Sequence, residues 1–228
     1  PYNLISMLAP HPRLQQLVAA LGAGKRVVAT GVMGSAVSLV AGALQRSLSR
    51  SVVLVTAHID DADEALDELS SAGCRVLRLP ALEALPGEGS VSLDLFAERL
   101  AVVKAAVTVG PTGAVGGSSP PTVFICPIQA LMQFVPAPAM LGALTRSLIR
   151  GQSTLPAELL RWLTDGGYQR VEAIEEPGDF ALRGGILDIF PPGSAASKPD
   201  ASVAAPGVPI RLDFFGDVLD LSLIHISE

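Results

Sequence analysis

Apolar and polar positions along the first half of the chain form blocks of two kinds. Residues 51–56 are a continuous apolar run, which is typical of a strand buried on both faces, and residues 60–71 after it have apolar side chains at helical spacing. The same patterns predict further strands at residues 26–29, 76–79 and 122–126 and further helices at residues 35–48, 94–109 and 127–134. Because parallel strands need a crossover of about a dozen residues, this alternation predicts an α/β fold with a parallel, doubly wound sheet.

The pattern changes beyond Pro136 and Pro138. A helix is predicted around residues 156–164, and strand-like segments follow it without further helical blocks. These segments are residues 169–174, 185–190 and 210–215. Such an order predicts a smaller α+β domain with an antiparallel sheet.

Two domains are therefore expected, at residues 1–135 and 136–221, followed by an atypical tail at residues 222–228. Residues 110–121 and 191–209 are rich in small residues and proline, which predicts a flexible loop and a mobile hairpin insertion without chemistry.

Composition and charge favour a globular protein over a membrane protein or a broad nucleic-acid binder. The 228 residues are 49% hydrophobic and 17% charged, so a sizeable core can form. The formal net charge of -6 argues against a broad grip on phosphate backbones, which comes mostly from clustered Lys and Arg. Because no apolar stretch reaches the ~20 residues of a membrane span and the start lacks a secretion signal, no membrane partner and a cytoplasmic location are expected. Cys74 and Cys126 lie at or in apolar runs, which predicts buried thiols.

A glycine-bearing turn precedes the helix predicted at residues 35–48. Gly31, Gly34 and Ser35 lie where a phosphate-binding loop would follow a strand, but residues 36–38 are Ala, Val and Ser in place of Gly, Lys and Thr. Val37 cannot neutralise a triphosphate, so the loop is predicted to be degenerate. The glycines then serve a tight turn and close helix packing, with weak nucleotide binding as the alternative.

Other catalytic chemistry has no basis in the sequence. The three histidines lack metal-ligand spacing and the two cysteines form no CxxC motif, so no metal site is predicted. No Ser/His/Asp arrangement with defining spacing is present, so no catalytic residue is assigned.

Several motifs together resemble successive signatures of the transcription-repair coupling factor family. The first three are LPALEALP at residues 79–86, FAERL at 96–100 and PIQALMQ at 127–133. The others are GGY at 166–168, EEPGDFA at 175–181, LRGGILDIFP at 182–191 and RLDFFGD at 211–217. Each motif alone is weak, but their order makes the resemblance specific over about residues 24–220.

The resemblance implies an amino-terminal module similar to the repair protein excinuclease B (UvrB). Such a module has a helicase-like α/β domain with a degenerate phosphate loop and a smaller domain that docks on excinuclease A (UvrA). The implied function is non-catalytic: the module recruits nucleotide excision repair to stalled RNA polymerase. RNA polymerase, DNA, ATP and magnesium are implied as ligands of other parts of the family's proteins, so no cofactor is expected here.

Three residues are expected at the contact with excinuclease A. By resemblance, Arg183 occupies a contact position and Arg170 matches an arginine of excinuclease B, although coupling factors often place it one residue earlier, at Gln169 here. In the antiparallel interpretation both arginines face one side, with Phe180 as an aromatic anchor beside them.

The alternative is that these three residues have only structural roles. The arginines would only form exposed salt bridges, worth about 0–1 kcal/mol, and the phenylalanine would belong to the core. The alternative function is an ATP-dependent repair protein of the excinuclease B type, and a structural, autoinhibitory clamp is the third possibility.

Overall fold

The chain builds two sheets in the computed structural model, which describes residues 4–82, 92–109, 120–146, 148–192, 207–216 and 218–223. Residues 1–82 and 101–135 form one compact unit, and residues 83–100 and 136–228 form the other. Most of the loop predicted at residues 110–121, residues 193–206 of the predicted insertion and residues 224–228 of the predicted tail lie outside the described residues. Within the described ranges, no helix has the length and hydrophobicity of a membrane span.

The first unit is an α/β structure. Its helices are α1 (Leu4–Leu8), α2 (Pro12–Gly22), α3 (Ser35–Leu48), α4 (Ile59–Ser71), the second half of α5 (Leu93–Val109) and α6 (Ile128–Leu131). Its strands are β1 (Val52–Thr56), β2 (Val76–Arg78) and β3 (Val123–Pro127), which pair in the order β1-β3-β2. Both pairings are parallel, so the predicted parallel sheet is confirmed.

The central strand β3 is covered on both faces. Val123 and Ile125 pack with the core built by helices α1 to α4, whereas Phe124 and Cys126 pack with Val102 of α5 and with α6. All five residues of β3 are buried, as the continuous apolar run predicts for a central parallel strand.

The prediction of a strand at residues 26–29 is wrong. These residues are irregular in the structure, and Val28 is 90% exposed. A β-branched run forms a strand only where a neighbour completes its hydrogen-bond ladder, and β1 pairs with β3 alone among the described strands.

The second unit contains α7 (Pro138–Leu144), α8 (Pro156–Asp165) and the first half of α5. Its strands are β4 (Gln169–Arg170), β5 (Asp179–Arg183), β6 (Ile186–Ile189), β7 (Ile210–Phe215) and β8 (Val218–Leu223), and they pair in this order. The pairs from β5 to β8 are antiparallel, whereas β4 runs parallel to β5. The prediction of an antiparallel sheet is therefore corrected to a mixed sheet.

Helix α8 supplies the main apolar cover of this sheet. It begins with Pro156, which needs no hydrogen bond in the first turn, and it buries Leu159 and Leu163. These two leucines pack in one core with Phe180, Leu187 and further strand residues. The face of the sheet that carries Phe180 is thus the core face.

Candidate functional site

Arg183 is the last residue of β5 and its side chain is exposed. Its Nε donates a hydrogen bond to the backbone carbonyl of Glu172 at 3.0 Å, and its Nη2 donates to the same oxygen. Because a guanidinium is planar and always charged, two donors on one carbonyl fix both its position and its orientation. Arg183 therefore ties the end of β5 to the segment of residues 171–178, which joins β4 to β5.

Asp179, the first residue of β5, holds the other end of this segment. Its Oδ2 accepts hydrogen bonds from the backbone N–H groups of Glu175 at 3.1 Å and Glu176 at 3.0 Å. Its own N–H donates to the carbonyl of Glu176 at 3.1 Å, and Gly178 has a φ of 98°. A Pro-Gly pair with positive φ at the glycine is the signature of a tight type II turn. We call residues 171–178 the β4–β5 turn.

The two arginines expected to share a face lie on opposite faces. Arg170 is the register partner of Phe180 in the parallel pair, so it leaves the sheet on the core side. Arg183 is three residues beyond Phe180 on the same strand and leaves on the other side. Gln169 pairs with Asp179 and therefore shares the face of Arg183. The expectation failed because β4 pairs in parallel with β5, a strand that the sequence pattern did not reveal.

Phe180 is not an exposed anchor. Its side chain is 1% exposed and packs against Leu159 and Leu163 in the core of the unit. An aromatic side chain at this depth has no surface to offer a partner. The core interpretation of Phe180 replaces the expectation of an anchor.

A salt bridge lies on the same face of the sheet as Arg183. Arg211 donates from Nε and Nη2 to the two carboxylate oxygens of Asp188 at 2.7 and 2.9 Å. Asp188 is buried, and its hydrogen bond and charge raise the pKa of Arg211. Sequence reasoning missed this pair, although a charged residue inside each of two apolar strands was a usable signal.

The glycine-bearing turn before α3 has the geometry of a loop that only glycine can form. Gly31 and Gly34 have φ values of 80° and 55°, in the left-handed half of backbone space, and Gly34 precedes the first helical residue, Ser35. A Cβ on either glycine would meet no atom within 4 Å. The tight turn explains these residues, and close helix packing does not.

A cavity of about 290 Å³ opens beside this turn. Gly34, Ser35 and Val37 line it from the start of α3, and Thr56 lines it from the end of β1. Its other wall is α4, which contributes Asp61, Glu64 and Glu68. Three carboxylates and a valine give this cavity an electrostatic character that repels phosphate, although its position at a strand end and helix start is the usual one for a nucleotide.

The two cysteines differ in their burial. Cys126 is buried and Cys74 half-buried, and neither forms a disulfide. Burial raises the pKa of Cys74, and the nearby Arg46 only partly opposes this. Among the residues that the structure describes, no cluster of three His, Cys, Asp or Glu side chains is placed to hold a metal ion.

Comparison with known proteins gives two findings. Residues 147–226 match the family model of the UvrB interaction domain. The chain is also 32% identical over 90% of its length to a transcription-repair-coupling factor of Myxococcus xanthus, and 31% identical over 99% to one of Mycobacterium bovis. A third such factor, of Bacillus subtilis, is 30% identical over 73% of the chain. The chain spans only 14–17% of the length of these three relatives.

Proposed function

Because this chain is a homologue of the transcription-repair-coupling factors and contains a UvrB interaction domain, we propose that it is a non-catalytic docking module of transcription-coupled DNA repair, which binds excinuclease A. The observation that carries the proposal is the match at residues 147–226, which covers α8 and the mixed sheet. The domain limits of 1–135 and 136–221 belong to the same proposal.

The proposed docking surface is the face of β5 that carries Arg183, together with Gln169 and the β4–β5 turn. Arg183 and Gln169 are exposed, and the turn adds the exposed side chains of Glu172, Glu175 and Glu176. A surface that mixes one oriented guanidinium with several carboxylates suits a partner of mixed charge better than a nucleic acid. Arg170 leaves the opposite face of the edge strand β4, so it contributes only if the partner wraps around this edge.

We propose that the first unit is a helicase-like domain whose phosphate loop is degenerate. Support comes from the cavity lined by Gly34 and Ser35, where Val37 takes the place of the expected lysine. The carboxylates of α4 add repulsion that a merely weakened loop would not have. An ATP-dependent protein of the excinuclease B type is the alternative, but it would need a cation in this cavity to hold the triphosphate.

The other implied ligands and partners are proposed to bind other regions of the longer relatives. We propose that a full-length factor of this family contacts stalled RNA polymerase and DNA, and uses ATP and magnesium in a motor, through regions that this chain does not contain. A repair factor that meets RNA polymerase on bacterial DNA works in the cytoplasm, which is the location that we propose.

The docking proposal is tested by charge reversal. Arg183→Glu in the full chain is expected to weaken binding to purified excinuclease A by about tenfold or more, as for an arginine at the centre of an interface. The measurement is titration calorimetry with the two proteins.

Arg161→Glu is the matched control, because Arg161 is exposed on α8 of the same unit and lies outside the proposed surface. Equal affinity of Arg183→Glu and the unmodified chain for excinuclease A would remove the assignment of this surface. Absence of any binding by the unmodified chain would remove the docking function itself.

A further inference from the structure

We propose that Asp179 is a positioning residue for the docking surface: together with Arg183, it holds the β4–β5 turn in the shape that excinuclease A recognises. The inference rests on the proposed docking function and deepens it. In this view Asp179 acts through the turn and does not itself contact the partner.

The position of Asp179 suits this role better than a contact role. Its side chain is half-buried, and one carboxylate oxygen already accepts the N–H groups of Glu175 and Glu176. Hydrogen bonds to a charged acceptor contribute more to stability than those between neutral groups. These two backbone groups lie in an exposed segment that forms no strand or helix, so Asp179 supplies an order that secondary structure does not.

The two ends of the turn are held by opposite charges. Arg183 holds Glu172 through the backbone carbonyl, and Asp179 holds residues 175 and 176 through backbone N–H groups. Both side chains come from β5, which lies inside the sheet between β4 and β6. The turn is therefore fixed against a strand that pairs on both sides, not against the short edge strand β4.

The local backbone completes the arrangement. Pro177 presets its own φ, and Gly178, with a φ of 98°, allows the reversal that brings Asp179 back to Glu176. The N–H of Gly178 also donates to the carbonyl of Phe190 at 2.7 Å. Because the turn is held by several hydrogen bonds, it loses little conformational entropy when a partner binds. A smaller entropy loss raises the affinity of a small polar surface.

The role has a direct test in the full chain. Asp179→Ala is expected to speed hydrogen exchange at the Glu175 and Glu176 amides by about tenfold or more, because both N–H groups lose their acceptor. It is also expected to weaken binding of excinuclease A by about tenfold. Asp179→Asn keeps an acceptor oxygen and is expected to recover a large part of both effects. Exchange is read by NMR or mass spectrometry in the absence of excinuclease A.

Asp165→Ala is the control, because Asp165 is exposed at the end of α8 and its loss changes the net charge equally. Unchanged exchange at both amides in Asp179→Ala would overturn the positioning role. Faster exchange with unchanged affinity would overturn it as well, provided that Arg183→Glu still weakens binding. If Arg183→Glu leaves the affinity unchanged, the proposed docking surface fails, whereas the exchange result still decides whether Asp179 orders the turn. Should Asp179→Ala not fold, the same comparison is made with Asp179→Asn and Asp179→Ser.

Discussion

At the scale of single residues, two glycines of the first unit are needed for different reasons, one for its backbone angle and the other for close packing. Gly34 has a positive φ and open space around its Cα, so its backbone angle requires glycine. Gly42 lies inside α3 with ordinary helical angles, but a Cβ there would come within 2.7 Å of Ile5 Cδ1 and 2.8 Å of Leu69 Cδ2. Gly42 thus lets Ile5 of α1 and Leu69 of α4 pack directly against the backbone of α3.

We therefore expect Gly42→Ala to destabilise the chain by about 1–2 kcal/mol, because overpacking outweighs the better helix propensity of alanine. Gly142 is the matched control, since a Cβ on this residue of α7 meets nothing within 4 Å and alanine there is expected to be neutral or stabilising. Urea denaturation measures both variants. A Gly42→Ala chain as stable as the original would show that the side chains of Ile5 and Leu69 move aside without loss of stability.

The arginines show how far sequence reasoning reaches at this scale. Motif resemblance identified Arg183 as a candidate, and the structure places it on an exposed face. Resemblance also grouped Arg170 and Phe180 with it, but one lies on the opposite face and the other in the core. A motif preserves order along the chain, whereas the face on which a side chain emerges depends on the register between strands.

At the element scale, several amphipathic helices were predicted closely, but α1, α2 and α7 were missed and α6 is shorter than the helix predicted at residues 127–134. Helix α8 was predicted at residues 156–164 and is observed at Pro156–Asp165, because its apolar residues recur at helical spacing. The helices α3 and α4 follow their predictions equally closely. Strands were less predictable: β5 and β8 were missed, and β4 is much shorter than the predicted segment.

Helix α8 also gives a prediction on stability. Leu159→Ala is expected to cost about 2–5 kcal/mol, because Leu159 is 1% exposed and its loss opens a cavity against Phe180 and the sheet. Leu155→Ala removes the same atoms from a residue that is 48% exposed and is expected to cost less than about 1 kcal/mol. Circular dichroism during chemical denaturation distinguishes the two. Similar losses in both variants would contradict the packing of α8 against this sheet.

For the whole molecule, the placement of negative charge matters more than its amount. The net charge of -6 argues only against broad binding of phosphate backbones, whereas α4 places Asp61, Glu64 and Glu68 in the wall of the cavity beside the glycine-bearing turn. These residues follow each other at helical spacing, so a signal was present in the sequence. Which side of the sheet α4 covers, and therefore which loop its carboxylates face, is set by tertiary packing.

We expect magnesium and ATP to leave the thermal unfolding of the chain unchanged. A nucleotide present at a hundredfold excess over its Kd would add about 2.7 kcal/mol to the free energy of unfolding, which scanning calorimetry detects easily. Val37→Lys restores the missing cation, yet it is expected to gain no nucleotide stabilisation because three carboxylates remain. An ATP-dependent rise in Tm of the unmodified chain would favour the alternative of an ATP-dependent repair protein.

The sequence by itself determined the helices α3, α4, α5 and α8, the alternation of strands and helices in the first unit, the glycine-bearing turn without its lysine and the motifs of the family, because each depends on residues that are close in the chain. Only the tertiary structure decided that residues 26–29 form no strand, that Phe180 is buried and that Arg170 and Arg183 emerge on opposite faces. It also decided that Asp179 and Arg183 both hold the β4–β5 turn. Local periodicity sets which side chains are apolar, but strand pairing, its direction and its register depend on contacts between segments that are distant in sequence.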